Sequence, residues 1–271
     1  MSLLGVSTGC YYDLGLVTED AVDRIAEIGA DVVEVYLQGP CELVPDVLHQ
    51  IIERLKRIPQ PVLSVHPYVF GWENLLFGSY ERQRQWAFAQ FEAYLDVCVA
   101  VGADAYISHG PPAHHVLHPD GSLSPHYVDI TADLVACAAQ RGVRYCLENV
   151  SYGVLRTPDD LQRHRDAVPD LAYVVDFKSA WKAGSPPEML ITAAGDKAHH
   201  TQVSFRGPEG YGLPMDEEGA RMSDPEVLSA LGASVPHVLE FEARELPQVA
   251  NSLDALRTAQ DLLRGWDRGS A

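Results

Sequence analysis

Seven apolar, strand-like runs in this chain end on, or beside, a side chain that can bind a metal or move a proton. They are Val32-Val33-Glu34, Val62-Leu63-Ser64-Val65-His66, Ala105-Tyr106-Ile107-Ser108-His109, Tyr145-Cys146-Leu147-Glu148, Tyr173-Val174-Val175-Asp176, His200-Thr201-Gln202-Val203 and Val238-Leu239-Glu240. Their spacing is nearly regular, and a helical pattern separates each from the next. Parallel strands joined by crossover helices all end on one side of the sheet. The pattern therefore predicts a (β/α)8 TIM barrel, an α/β fold whose chemistry gathers at the C-terminal ends of its strands. At 271 residues, 1–271 is expected to form a single domain.

The elements can be placed one by one. Strands are predicted over 3–10, 31–37, 62–66, 103–108, 143–148, 171–176, 198–205 and 235–241. Helices follow the 3.6-residue period over 43–58, 79–101, 125–141, 186–194 and 246–263. Thr18 is read as the N-cap of a first helix closed by Gly29, and Thr157-Pro158 and Asp224-Pro225 open two more. No Gly-x-Gly-x-x-Gly follows the first strand, which disfavours an open dinucleotide-binding sheet. Long connections fall at 67–78, 110–124 and 206–223, where barrels build walls and lids. The glycines at 207, 210, 212 and 219 make the last of these a predicted mobile loop.

Composition narrows the function. The 38 acidic and 20 basic residues give a net charge of -18. Nucleic-acid binding needs a basic face, and no Lys/Arg cluster is visible, so no nucleic-acid partner is expected. No apolar run reaches the roughly 20 residues that span a bilayer, so no membrane partner is expected either. The first seven residues lack a signal-type basic or apolar block and read as the start of the first strand. Five cysteines at irregular spacing, without Cys-x-x-Cys, read as reduced thiols of a cytoplasmic protein. The expected partner is a small-molecule substrate; a homodimer stays open.

Side chains two apart on a strand share a face. Glu148 then lies with Cys146, Asp176 with Val174 and His66 with Ser64, while Leu147, Val175 and Val65 turn to the helix layer. Buried charges need partners, and three carboxylates in one barrel mouth repel one another. A divalent cation holds Glu148, Asp176 and Glu240 ionised together, with His66 and His109 nearby; Mn²⁺, Zn²⁺, Mg²⁺, Co²⁺ or Fe²⁺ would serve. Glu34 reads instead as a cap or ion-pair partner. Arg206 and Lys178 are candidates for binding a substrate oxyanion. Tyr68, Phe70 and Trp72 either wall the pocket or pack against their own loop.

These same segments, with Gly29 to Val35, Ser64-Val65-His66-Pro67-Tyr68, Gly102 to Gly110, Leu147-Glu148-Asn149, Val175-Asp176 and Leu239-Glu240, resemble the xylose isomerase-like TIM-barrel superfamily. That superfamily includes sugar-phosphate isomerases and epimerases and abasic-site nucleases of the endonuclease IV type. The resemblance runs from the first strand to the last and covers nearly the whole chain. It implies a metal site made of Glu148, Asp176, a strand-seven residue and Glu240, with the two glutamates as acid and base on opposite faces of a carbon. The nuclease pattern adds His66 and His109 as ligands of a further ion. Two departures stand out. Ser179 occupies a position where the nuclease pattern has His, and no Asp-x-His follows strand seven, so a third metal would lack ligands. On strand seven, alignment by neighbours puts Gln202 in the ligand slot, whereas alignment by residue type chooses His200. The expected function is a metal-dependent isomerase or epimerase that abstracts a proton next to a carbonyl on a sugar-like or hydroxy-keto substrate; lyase chemistry could start from the same enolate. The alternatives are a dinuclear metal hydrolase and a barrel that has lost its metal and works metal-free or as an accessory binding protein.

Overall fold

Eight parallel strands close on themselves. In chain order they are β1 (Leu4–Ser7), β2 (Val32–Tyr36), β3 (Val62–His66), β4 (Ala105–Ser108), β5 (Arg144–Glu148), β6 (Ala172–Asp176), β7 (Ala198–Val203) and, after a separate hairpin of β8 (Phe205–Gly207) and β9 (Gly210–Leu213), β10 (His237–Leu239). Around the barrel, β10 stands between β7 and β1. The computed structural model describes residues 2–68, 71–216 and 220–269; Phe70 and Gly219 lie outside them. The helices are α1 (Thr18–Ile28), α2 (Pro45–Leu55), α3 (Glu73–Leu76), α4 (Glu81–Val101), α5 (Pro125–Gln140), α6 (Pro158–Ala167), α7 (Phe177–Lys182), α8 (Pro187–Ala194), α9 (Pro225–Leu231) and α10 (Leu246–Gly269). None of the described helices is long and apolar enough to cross a membrane.

Strand alternation sorts the core into two layers. Leu147, Val175 and Val65 pack outward with the helices in the large core, as expected. Ala105, Ile107, Cys146, Ala172 and Val174 form one separate cluster, and Val32, Leu63 and Val238 form another. These fill the barrel interior below the polar mouth, where a β/α barrel is packed with side chains. Aromatics bind α4 to the sheet: Phe91 meets Tyr106 edge-on at 5.1 Å and Tyr145 at 5.9 Å. Each such pair contributes about 0.5–1.5 kcal/mol beyond its buried area.

The local signals act as their chemistry dictates, with four differences. Thr157 and Asp160 form a reciprocal capping box at α6, and Gly29 closes α1 at φ 69°. Thr18, by contrast, lies inside α1 behind an N-cap at Val17, because its hydroxyl donates to Glu42 at 2.7 Å instead. The first strand stops at Ser7 and continues as a 3-10 turn over Thr8–Leu14, held by the Ser7 hydroxyl accepting from Gly9 N–H. A six-residue helix, α7, starts directly after β6. The connection after β7 is an antiparallel hairpin, β8–β9, not an irregular loop. Tyr211 of that hairpin stacks on Trp181 of α7 at 6.2 Å.

Candidate active site

The C-terminal strand ends enclose a cavity of about 470 Å³ lined by Tyr12, Tyr36, Gln38, His66, Tyr68, His109, Glu148, Tyr152, Lys178, Lys182, Glu240 and Glu242, among others. A groove of about 610 Å³ at the opposite end lies between α5 and α6, lined by Ala132, Ala136 and Ala139 with Arg144 and Asp170. It lies at the strand starts, whereas β/α barrels carry out their chemistry at the strand ends.

Three donor atoms meet on one side of the mouth. Glu148 Oε2 lies 3.1 Å from His66 Nε2 and 3.3 Å from His109 Nε2, and the two imidazole nitrogens are 3.2 Å apart. Each ring is anchored through its other nitrogen: His66 Nδ1–H donates to the Pro67 carbonyl at 3.0 Å, and His109 Nδ1 bonds the Tyr152 hydroxyl at 3.0 Å. Anchoring of that kind fixes the orientation of metal-binding and proton-moving imidazoles. Burial works against the charge on Glu148, but His109 and His66 outweigh it and hold the carboxyl well below the usual carboxylate range. Burial likewise opposes a charged His66, yet Glu148 beside it pushes the ring up to about 10.

The other expected ligands occupy the next strands round. Asp176 ends β6, Gln202 is its register partner on β7, and Glu240 follows β10, whose Val238 pairs with Gln202. Asn149 clamps the Asp176 backbone, donating to its carbonyl at 2.9 Å and accepting from its N–H at 2.7 Å. Asp176 Oδ1 accepts from Ser179 N–H at 2.6 Å and so caps α7. That leaves Asp176 Oδ2, Gln202 Oε1 and Glu240 Oε2 buried with no hydrogen-bond partner. Buried acceptors left unpaired cost about 1–3 kcal/mol each, so three on adjacent strands suit a cation or a donor. Burial, then the Glu34 and Glu148 charges, pushes the Glu240 carboxyl well above its ordinary value. Burial also raises Asp176, against the pull of Lys178.

The expected convergence of Glu148, Asp176 and Glu240 takes a different form. Among the described residues, His66, His109 and Glu148 are the only His, Cys, Asp or Glu trio with donor atoms all within 4.8 Å of one another. Glu148 turns toward the two imidazoles, and Asp176 is tied to its helix cap. Like charges also spread the carboxylates apart.

On strand seven the two candidates differ in their partners. His200 Nε2 bonds Glu34 at 3.0 Å and its Nδ1 bonds His199 at 2.8 Å, so both ring nitrogens are engaged. Gln202 has a free oxygen. Glu34, expected to be a cap or ion-pair partner, pairs with His200 and is 0% exposed inside the barrel, bonded also to Ser64 and Gln202.

The candidate substrate-binding residues divide. Lys178 and Tyr68 line the mouth; Arg206 and Trp72 do not. Arg206 is held by Asp224 and by Glu226 at 3.1 Å and lies 4.9 Å over the Trp181 ring. Trp72 is buried, stacked on Tyr94 at 5.4 Å, and donates its indole N–H to the Tyr68 carbonyl. Asp176, then Glu240 and Glu148, raise the Lys178 ammonium against its burial. Tyr12, Tyr36, Gln38, Tyr152, Lys182 and Glu242 also line the mouth; apart from Lys182, nothing in their sequence context marks them.

A closed eight-strand parallel barrel with carboxylates and imidazoles at its strand ends defines the class: a β/α barrel with an enzyme-type mouth. The chain belongs to the xylose isomerase-like TIM barrel family, whose model matches residues 22–264. No curated protein matches it in sequence. Among solved structures, it is similar to a D-tagatose 3-epimerase-like protein (TM-score 0.75, 16% identity, covering 97% of this chain and 98% of that one). It is also similar to a D-psicose 3-epimerase solved in the presence of D-fructose (TM-score 0.71, 14% identity, 96% and 99% covered). A third is the IolI protein with a bound zinc atom (TM-score 0.70, 18% identity, 95% and 96% covered). At these identities the likeness establishes the fold.

Proposed function

We propose that this protein is an isomerase or epimerase that moves a proton at the carbon beside a carbonyl of a small sugar-like or hydroxy-keto substrate. One observation carries the reading. Glu148 and Glu240 flank an arc of four adjacent strands, and three buried oxygens along it, Asp176 Oδ2, Gln202 Oε1 and Glu240 Oε2, have no partner. Those oxygens suit a divalent cation held by Asp176, Gln202 and Glu240, with Glu148 joining them by turning from His66 and His109. When bound, such an ion acidifies the C–H next to a ligated carbonyl as a Lewis acid.

The chain's own groups supply the proton traffic. Glu148 is held ionised by His66 and His109, which suits it to accept a proton. Burial and the Glu34 and Glu148 charges push the Glu240 carboxyl the other way, well above its ordinary value, which suits it to return one. Two carboxyls whose surroundings drive them apart in this way mark an acid and a base. Lys178, which has no ion-pair partner within 4 Å among the described residues, is placed to donate to a substrate oxygen. Neighbours named as sugar 3-epimerases support the reaction class. Five unpaired cysteines fit a reducing, cytoplasmic setting.

The test is solvent exchange. Mn²⁺-loaded protein is incubated in D2O with a panel of ketoses and hydroxy-keto compounds, and deuterium entering the position beside the carbonyl is followed by NMR. Exchange should occur with at least one substrate and vanish in Glu148→Gln and Glu240→Gln. Exchange surviving in both variants would overturn the assignment of the pair. A second reading rests on the His66–His109–Glu148 triangle, which suits an additional ion and hydrolytic chemistry. Metal counting separates the two: one tightly bound ion per chain favours proton transfer, two favour hydrolysis.

A further inference from the structure

Glu34 explains why a glutamine can stand among the ligands. Its carboxylate is wholly buried and accepts three hydrogen bonds. Oε2 takes the Ser64 hydroxyl at 2.8 Å and His200 Nε2 at 3.0 Å, and Oε1 takes Gln202 Nε2 at 3.2 Å. A carboxylate accepts and cannot donate, whereas a glutamine amide has one end of each kind. The end of Gln202 facing Glu34 is therefore fixed as NH2. Its carbonyl oxygen lies on the far side of the amide, buried and unpaired, on the strand beside Asp176.

We propose that Glu34 is a positioning residue that turns the Gln202 carbonyl toward the ligand arc, completing an all-oxygen set with Glu148, Asp176 and Glu240 for a hard divalent ion. The inference rests on the metal-site reading above. Oxygen donors suit Mg²⁺ and Mn²⁺, whereas an imidazole on this strand would favour Zn²⁺. His200, the only imidazole nearby on the strand's inner side, is withheld from the site by the same Glu34. One carboxylate thus selects the ligand atom and disarms its competitor.

The substitution Glu34→Gln tests the polarity directly. The amide introduced there would keep its carbonyl on His200 and Ser64 and turn its NH2 toward Gln202, which would then swing its own carbonyl away from the ion. Mn²⁺ affinity, read by titration calorimetry on the full chain after chelator treatment, should fall about 10–100-fold, the usual cost of losing an outer partner. The double variant Glu34→Gln/Gln202→Glu should recover most of that loss, because a carboxylate at 202 presents oxygen on both sides. Gln202→His should raise the Zn²⁺-to-Mn²⁺ affinity ratio about tenfold or more. Wild-type protein that takes up no Mn²⁺ would overturn the metal-site reading and this inference with it. Wild-type binding that Glu34→Gln leaves unchanged, or that the double variant fails to restore, would overturn the inference alone. If Glu34→Gln does not fold, Gln202→Leu reads the same oxygen, and unchanged Mn²⁺ affinity there would be equally decisive.

Discussion

Replacing His66 with Gln should flatten the alkaline side of the stability curve. His66 is 1% exposed, with Nε2 3.1 Å from Glu148, whose charge lifts the ring to about 10 against an ordinary histidine near 6.5. The folded chain therefore holds a proton that the unfolded chain releases. The sign follows: the contribution is complete below about pH 6.5 and is lost as pH rises through about 10, at roughly 1.4 kcal/mol per unit. From about pH 7 to about pH 9.5 the loss is about 3 kcal/mol. Urea unfolding with chelator present, at several pH values across that window, reads it. Tyrosine and cysteine titrations are common to both proteins and cancel in the difference. The gap between wild type and His66→Gln should close by about 3 kcal/mol across the window. A gap that stays constant would refute the coupling of His66 to Glu148.

Asn149→Ala should cost about 2–4 kcal/mol in urea unfolding, because it strips both backbone partners from Asp176 in a buried setting; a loss below about 0.5 kcal/mol would deny the clamp. Trp72→Leu should lower stability by about 2–4 kcal/mol with kcat/KM unchanged, since its ring packs on Tyr94 outside the mouth; melting curves and steady-state kinetics on one preparation show both. Lys178→Met should raise KM about tenfold or more by removing a charged donor to the substrate, whereas Arg206→Met should leave it alone. Equal effects from the two would contradict the placement of the mouth.

Much of this was legible in the chain because it is local. Strand ends at Glu148 and Asp176 follow from two-residue alternation, and Gly29 and Thr157 act through their own neighbours. The membership of His66, His109 and Glu148 in one mouth also followed, since a closed parallel barrel brings strand ends together. Their close trio did not, because it depends on which carboxylate turns toward the histidines. The partners of Glu34 were hidden for a related reason: Gln202 is 168 residues away across the barrel, and no local pattern encodes that meeting. Trp72 and Arg206 carried the right chemistry for a pocket, but Tyr94 and Asp224 claimed them. The hairpin after β7 was hidden by its glycines, which read as mobility. Gly212 in fact adopts φ +74°, and a Cβ there would sit 2.8 Å from Lys178 Cδ. The glycine gives the lysine stem room to lie flat.

Asp176 has two jobs on two oxygens, and that shapes how any mutant at this position must be read. Oδ1 starts α7, and α7 carries Lys178 and the Trp181 platform under the hairpin. Alanine at 176 would therefore loosen a whole wall of the mouth while also deleting a proposed ligand, and lost turnover would have two indistinguishable origins. Serine keeps a capping oxygen and removes the charge; asparagine keeps both the cap and the shape. The pair would separate scaffold from chemistry at a position where the fold has fused them, and the same fusion leaves drift at this position few neutral steps.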